Sequence, residues 1–369
     1  MAPLCDHGHV GIDQSPGESY RTLKNFWGKA NPKKTSKQGA SASIHQSEVT
    51  MASAAEPLAG AVSLLSVATE ANARDEGLAA FISVRPRLFG IAYRMLGSAA
   101  EAEDIVQDVW LRWQSTKRSV IVNPSAYLAT TATRLCINAA TCARVRRETY
   151  VGPWLPEPVD TSDDPRLGAE REEALKLAVL VLLEKLPPEE RAAYVLREAF
   201  DYSYCQIAEI LRTVEANVRQ LVSRARKHVE EGRRTTVSAA ERERLFAAFL
   251  DAARQGDMAA LEGLFAEDII SYSDGGGVVR AARIPVFGRE RVAKFIAAVA
   301  RHFYNGVMLA KAEVNGQPAG LILRNGIVVA LATIDASEQG IHQIMWIMRP
   351  SKLAALSRSR QSTSGLYAT

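Results

Sequence analysis

The chain has few cysteines and no long apolar run. Only four cysteines occur in 369 residues, Cys5, Cys136, Cys142 and Cys205, and none forms a C-x-x-C pair. Their spacings fit neither a zinc ribbon nor a disulfide framework, which excludes a stapled secreted scaffold and points to a reducing compartment. Cys5-x-His7-x-His9 has the residue types to grip a metal ion loosely, but in a polar terminus it reads better as solvated chain. No apolar stretch reaches the ~18 residues of a membrane span. Leu58 to Val67 is too short for one, and it lies too far along the chain for a signal peptide. The expectation is a cytoplasmic protein with no membrane partner and no cofactor or metal. One-sided charge is missing too: 45 Lys and Arg oppose 41 Asp and Glu, a net of +4. The placement of charge therefore carries more information than its sum.

What is present divides into blocks. Residues 1–76 are rich in Ala, Ser and Gly without sustained periodicity and read as a disordered extension. Its basic stretch Arg21 to Lys37, with six cations and no acid, fits a solvated tail. Residues 77–150 carry helical periodicity, with Phe81, Leu88, Ile91, Ala92 and Met95 on one stripe. Gly97 stops that helix, and Ser98-Ala-Ala-Glu101 reads as a capping box for the next, which carries Ile105, Val106, Val109 and Trp110. Asn123-Pro124-Ser125 opens a third helix. Residues 151–172 contain Pro153, Pro156, Pro158 and Pro165 and read as a linker. Residues 173–234 are helical again, broken at Pro187-Pro188. Residues 238–350 mix both periods. Ser238-Ala-Ala-Glu241 starts a helix, and apolar runs at 307–314, 319–324, 327–334 and 341–348 read as strands. Asn315-Gly316 and Asn325-Gly326 separate the first three of these runs, a strong hairpin signal. Residues 351–369 read as a tail.

The sharpest local pattern lies at 203–228. Ser203-x-x-Gln206 is a capping box, Ile207, Ala208 and Leu211 form a short apolar face, and a break at Arg212 to Val214 precedes a helix with Val218, Leu221, Val222 and Ala225 inward. This is helix-turn-helix spacing. From Arg212 to His228 there are five Lys or Arg and one acid. Arg219, Gln220, Ser223, Arg224 and Lys227 fall on the outward side, where such side chains read base edges and hold phosphates. A second basic cluster, Arg134, Arg144, Arg146 and Arg147, has no acid between its members. Either cluster alone fits a solvated helix face or a helix end favoured by the dipole. Two clusters on separate helical modules fit one duplex gripped at two places. Glu101, Asp104 and Asp108 share a helix face. No His partner or Gly-rich phosphate loop accompanies them, so they suit docking to a basic protein surface rather than catalysis.

These residues resemble a family. Arg87-Leu-Phe-Gly-Ile-Ala-Tyr-Arg-Met-Leu96 with Ala102-Glu-Asp-Ile-Val-Gln-Asp-Val-Trp110 resembles the first domain of extracytoplasmic-function sigma factors, and Leu186-Pro-Pro-Glu-Glu190 through Arg226 resembles the second. Trp154-Leu-Pro-Glu-Pro158 and Asp274-Gly-Gly-Gly277 resemble the SigJ-like subgroup with a SnoaL-like C-terminal extension. The resemblance spans about residues 78–353. It implies two all-α sigma domains, the second with a helix-turn-helix, followed by an α+β SnoaL/ketosteroid-isomerase-like cone domain. It implies no enzymatic activity. The implied partners are core RNA polymerase, through the β′ clamp and β flap, and promoter DNA. Glu103, Asp104, Gln107 and Asp108 are implied to bind the clamp. Segment 127–147, with Arg134, Asn138, Arg144, Arg146 and Arg147, is implied to engage the minus-ten element. Asn217, Arg219, Gln220, Ser223, Arg224 and Lys227 are implied at the minus-thirty-five element.

The C-terminal domain is implied to regulate in cis through Trp154, Leu155, Pro156, Glu157 and Pro158 against Asp274, Gly275, Gly276 and Gly277, with Pro350, Lys352 and Leu353 near the end. A proline-flanked tryptophan is a stiff apolar plug, and glycines let a backbone approach closely. The sequence departs from the family at Arg212, usually Gly, at Val214, usually a Ser or Thr cap whose place Thr213 could take, and at Arg349-Pro-Ser-Lys-Leu353, usually Asn-Pro-Asp-Lys-Leu. The alternative function is a small-molecule-binding or enzymatic domain fused to a DNA-binding regulator, with Asp268, Tyr272, Asp274 or His342 in a ligand pocket.

Overall fold

A computed structural model describes residues 56–161, 176–232, 237–303 and 306–364. The chain divides into two units, residues 1–62 and 63–369. Of the first, only helical backbone from Glu56 onward is described, and everything below concerns the second. The Cys5-His7-His9 cluster and Arg21 to Lys37 lie outside the described residues.

The first helix, α1, spans Glu56–Leu96, so residues 56–76, expected to lack order, are helical. The reason is local: Ala, Leu and Glu dominate this stretch, and its first proline, Pro57, falls in the opening turn, where no N–H is needed. Gly97 ends α1 with φ of +66°. Helix α2 follows at Ala99–Ser115; the Ser98 side chain accepts the Glu101 N–H, one half of the expected capping box, while the Glu101 carboxylate pairs with Arg146, and the helix buries Ile105, Val106, Val109 and Trp113. Helix α3, Pro124–Glu148, begins with Pro in its first turn and the Asn123 side chain accepting the Ala126 N–H. These three helices pack as one module.

Helices α4 (Leu177–Glu184), α5 (Pro188–Phe200), α6 (Tyr204–Leu211) and α7 (Glu215–Gly232) form the second module. Both halves of the Ser203–Gln206 capping box are made. Its core joins Leu196, Ile207, Val218, Leu221 and Val222 to that of the first module without a gap.

The third module holds α8 (Ala239–Gln255), α9 (Met258–Leu264), α10 (Arg289–Phe303) and six strands: β1 (Phe265–Asp274), β2 (Val286–Phe287), β3 (Met308–Val314), β4 (Gln317–Arg324), β5 (Ile327–Ser337) and β6 (Gly340–Ile347). The strand order is β2-β1-β6-β5-β4-β3, antiparallel except for the parallel β1–β6 pair. Asn315-Gly316 and Asn325-Gly326 make the two hairpin turns with positive φ at all four residues, the geometry for which that dipeptide is selected.

Strand alternation explains how this module docks. Ile322, Ala330, Ala332, Ile344 and Trp346 face the core under the helices. Their neighbours Leu321, Leu323, Leu331, Met345 and Ile347 face the other way, into the core shared with the helical modules. A sheet buried on both faces cannot alternate apolar with polar residues, which is why the runs read as continuous. The C-terminal stretch is not a free tail. Helix α11 spans Pro350–Ser364, and its Leu353 and Leu356 are buried in the shared core, three residues apart on one helical face.

Candidate nucleic-acid interface and the interdomain lock

On α2, Asp104, Gln107 and Asp108 are exposed and Glu103 is half-exposed. Arg85 holds Glu103 at 2.6 Å. Partial burial, then the neighbouring Asp108, raise the Asp104 carboxyl above the ordinary range. Leu111 lies on the same helical face and is also exposed. Sequence reasoning missed it, although its spacing from Gln107 and Asp108 was readable. The exposed acidic ridge thus surrounds one exposed leucine.

On α7 the residues expected outward and inward are placed so. Arg219, Gln220, Ser223, Arg224 and Lys227 are exposed, while Val218, Leu221, Val222 and Ala225 face inward. Arg219 pairs with Glu215 and lies over the Tyr204 ring. Arg224 reaches Glu190 at 3.1 Å. Asn217 is half-buried and donates to the Thr213 hydroxyl. Val214 occupies the position before α7 and is exposed. Arg212 takes the left-handed conformation, φ +54°, that a glycine adopts without strain.

The basic cluster on α3 is divided. Asn138 and Arg144 are exposed, and so is Arg146, which pairs with Glu101 at 2.7 Å. Arg134 and Arg147 do not present free guanidinium groups, contrary to expectation. Arg134 donates to the Ile210 carbonyl at 2.9 Å and the Glu209 carbonyl at 3.2 Å, both at the end of α6. A helix C-terminus presents such unpaired carbonyls. Arg147 donates to Leu96 O, pairs with Glu184 of α4, and stacks on the Trp154 ring at 3.5 Å from its centre. In return Arg191 of α5 donates to Met95 O at 2.6 Å, and Arg87 of α1 donates to Phe200 O at 2.8 Å. Arginines cross in both directions and hold the two helical modules together.

The linker is threaded between the modules. Glu157 accepts the Ala99 N–H at 2.9 Å and the Ala100 N–H at 3.3 Å, so a carboxylate sits on the N-terminus of α2, where the dipole favours it. Its own N–H donates to Gly97 O at 2.7 Å. A side chain at Gly97 would come within 2.7 Å of the Trp154 ring, and the positive φ already disfavours one. Pro156 and Pro158 are buried beside it. The Tyr93 hydroxyl donates to Glu157 O at 2.6 Å and accepts from Asn315 Nδ2 at 2.7 Å. Asn315, from the first hairpin turn, also exchanges bonds with Val159. One turn residue thus ties the third module to α1 and to the linker, a role the sequence did not signal.

Asp274, the last residue of β1, is completely buried. Its carboxylate accepts from Leu155 N–H at 3.0 Å, Lys352 Nζ at 2.6 Å and the Tyr150 hydroxyl at 2.5 Å. Lys352 also donates to Leu155 O and lies over Trp154, 4.4 Å from the ring centre. Trp154 is therefore flanked by two cations, Arg147 and Lys352. Burial, partly offset by Asp274, lowers the Lys352 ammonium below its ordinary value. Burial, then the bond to Asp274, push the Tyr150 phenol up to about 12. The three glycines admit this packing: a Cβ at Gly275 would meet Val279 O at 2.4 Å, one at Gly276 the Arg349 side chain at 2.7 Å, and one at Gly277 Val151 at 3.1 Å. Pro350 opens α11 and sets Lys352 and Leu353 inward.

The residues named for a ligand pocket do not converge. Asp274 is spent on the lock. Asp268 bonds His342 at 2.6 Å near the other end of β1, and the second His342 nitrogen bonds Ser337 at 2.7 Å. Six residues of strand separate Asp268 from Asp274, roughly 20 Å. Tyr272 packs toward the helical modules. Among the described residues no helix is long and apolar enough to cross a membrane.

The chain matches two families, Sigma-70 region 2 over residues 81–146 and Sigma-70, region 4 over residues 176–229. The ECF RNA polymerase sigma factor SigJ of Mycobacterium tuberculosis is 37% identical over 245 residues, covering 64% of this chain and 78% of that protein. The probable ECF RNA polymerase sigma factor SigI of the same species is 29% identical over 287 residues, covering 76% and 96%. The crystal structure of SigJ aligns with a TM-score of 0.62 at 32% identity, covering 75% of this chain and 98% of that one.

Proposed function

The chain belongs to the ECF RNA polymerase sigma factors, and from that premise we propose how its modules divide the work of promoter recognition. A sigma factor performs no chemistry; it binds core RNA polymerase and promoter DNA. The exposed Asp104, Gln107, Asp108 and Leu111 of α2, with Glu103, dock on the β′ clamp of the polymerase, and the helix-turn-helix module docks on the β flap. Asn217, Arg219, Gln220, Ser223, Arg224 and Lys227 read the minus-thirty-five element. Arg134, Asn138, Arg144, Arg146 and Arg147 serve the minus-ten element. The site of action is the cytoplasm, where the polymerase works.

The third module regulates in cis. The observation that supports this is the buried Asp274 carboxylate, which binds Lys352 of α11 and the Leu155 amide of the linker at once. Trp154, between Lys352 and Arg147, carries any movement of the third module to a DNA-reading arginine.

The test is association of the purified full chain with core polymerase, followed by run-off transcription from candidate promoters. Retention on core polymerase and start-site-specific transcripts are expected. A chain that does not associate with core polymerase refutes the assignment. A chain that associates, but whose D274A variant transcribes identically, refutes regulation in cis.

A further inference from the structure

We propose that the loop after Asp274 is a third DNA-contacting surface, in which Arg280 and Arg283 hold backbone phosphates of the promoter beside the C-terminal end of α3. The inference rests on the promoter-binding reading above and extends it to a module with no part in the Sigma-70 region 2 and region 4 matches.

Residues 275–289 contain three arginines, Arg280, Arg283 and Arg289, and no acid. Arg280 and Arg283 are exposed, and neither pairs with a carboxylate among the described residues. Among the exposed arginines of the helical modules, Arg146, Arg219, Arg224 and Arg226 have acidic partners, while Arg112, Arg144 and Arg212 pair with no carboxylate among the described residues. A loop that projects unneutralised guanidinium groups is fitted to an external anion.

Its position identifies the anion. Gly276 comes within 2.8 Å of the Tyr150 hydroxyl and Gly277 within 3.1 Å of Val151, each measured from the place a Cβ would take. On the same measure Gly152 lies 3.7 Å from the Arg283 Cα. The loop is therefore seated on residues 150–152, which directly follow α3 and its exposed Arg144 and Arg146. Arg146 pairs with Glu101 and Glu148 is exposed at the same helix end, so the strip that crosses from the first module onto the third is carried by Arg144, Arg280 and Arg283. A strip of this kind follows a phosphate backbone better than it fits a compact anion. The seat is fixed: Asp274 anchors one end of the loop through its buried hydrogen bonds, and β2 pairs the other end with β1. The loop backbone is thus already held at both ends, which lowers the entropic cost of binding.

The test compares the full chain with its R280A/R283A and R280K/R283K variants, each assembled with core polymerase, on fluorescent promoter duplex across a salt series. Each neutralised phosphate contributes about 0.9 to the slope of log affinity against log salt. R280A/R283A should lower that slope by about 1 to 2 and weaken binding roughly tenfold at low salt, while R280K/R283K keeps the slope. Thermal melting controls for folding, and core-polymerase binding without DNA should be unchanged. An unaltered slope and affinity in the alanine variant overturns the proposal. So does a loss of core binding, which would assign the loop to a protein contact. Failure of the unaltered chain to bind core polymerase or promoter would strike the underlying reading instead.

Discussion

The guanidinium of Arg147 lies 3.5 Å from the centre of the Trp154 ring and also pairs with Glu184, so one side chain joins the first helical module, the linker and the second module. Replacing Trp154 by Ala removes the surface between two cations and leaves a gap against Gly97. Burial of a large aromatic is worth several kcal/mol; because Trp154 is only half-buried, about 2 kcal/mol is expected. Chemical denaturation of W154A should show it, with W154F losing less than half as much.

The pair Asp274 and Lys352 is the most buried ionic contact described. Removing one partner strands the other charge, a cost of about 3–5 kcal/mol. D274A and K352M should each destabilise strongly, whereas D274A/K352M should lose clearly less than the sum of the two. Three urea titrations against the unaltered chain give the coupling, and additive losses would mean that the two groups act independently.

Tyr150 titrates in the same cluster. Its phenol, ordinarily near 10, is held up to about 12, burial being the larger cause and the bond to Asp274 the next. The folded state thus holds its proton over a pH range in which the unfolded state has released it. The stabilisation is complete below pH 10 and is lost as pH rises from 10 to 12. Since the side chain is partly exposed, screening limits the effect to about 1 kcal/mol. Melting temperatures between pH 9 and 12 should fall less steeply in Y150F than in the unaltered chain.

Local signals were legible in the sequence and long-range polar contacts were not. The Asn-Gly turns, the Ser203–Gln206 box, Pro124 and Pro188 at helix starts and the inward stripe of α7 each depend on neighbours in the chain. The linker and the Asp-Gly-Gly-Gly loop were recognisable as a pair by resemblance. What Glu157 does on α2, what Asn315 does to Tyr93, and the engagement of Arg134 by protein depend on partners about 60 to 220 residues away, and Arg147 reaches Leu96 and Glu184 in other helices. Such partners leave no periodicity. An arginine reads the same whether its acceptor is a phosphate or the end of a helix.

Arg212 shows a local signal of the opposite kind, a residue at odds with its backbone. Its φ of +54° costs an L-residue about 1 kcal/mol that glycine avoids, and glycine gives part of this back through greater freedom when unfolded. R212G should stabilise the full chain by about 0.5 kcal/mol in urea denaturation, with promoter affinity rising if docking of α7 is strained as well. Destabilisation by R212G would mean that the arginine side chain contributes more than its conformation costs.

The contact between α3 and α6 limits what this arrangement can bind. Arg134 lies 2.9 Å from the Ile210 carbonyl, so α3, proposed for the minus-ten element, touches α6 of the module proposed for the minus-thirty-five element. Promoter elements about 25 base pairs apart are separated by roughly 85 Å at 3.4 Å per base pair. Modules in direct contact cannot occupy both. On the proposed reading the crossings at Arg87, Arg134, Arg147 and Arg191 are released when polymerase and promoter are engaged; that step frees Arg134 for DNA and removes Glu184 from Arg147, which keeps Leu96 O and the Trp154 ring. Cys142 on α3 and Cys205 on α6 are exposed free thiols, and Cys136 is buried. With Cys5 replaced by Ser, donor and acceptor dyes on these two positions should give high transfer efficiency in the isolated chain and low efficiency after addition of core polymerase and promoter duplex. E184Q, which weakens the hold on Arg147, should shift the isolated chain toward low efficiency. Efficiency that stays high in a complex competent for transcription would mean that the two modules never separate, and the assignment of both elements to these helices would fail.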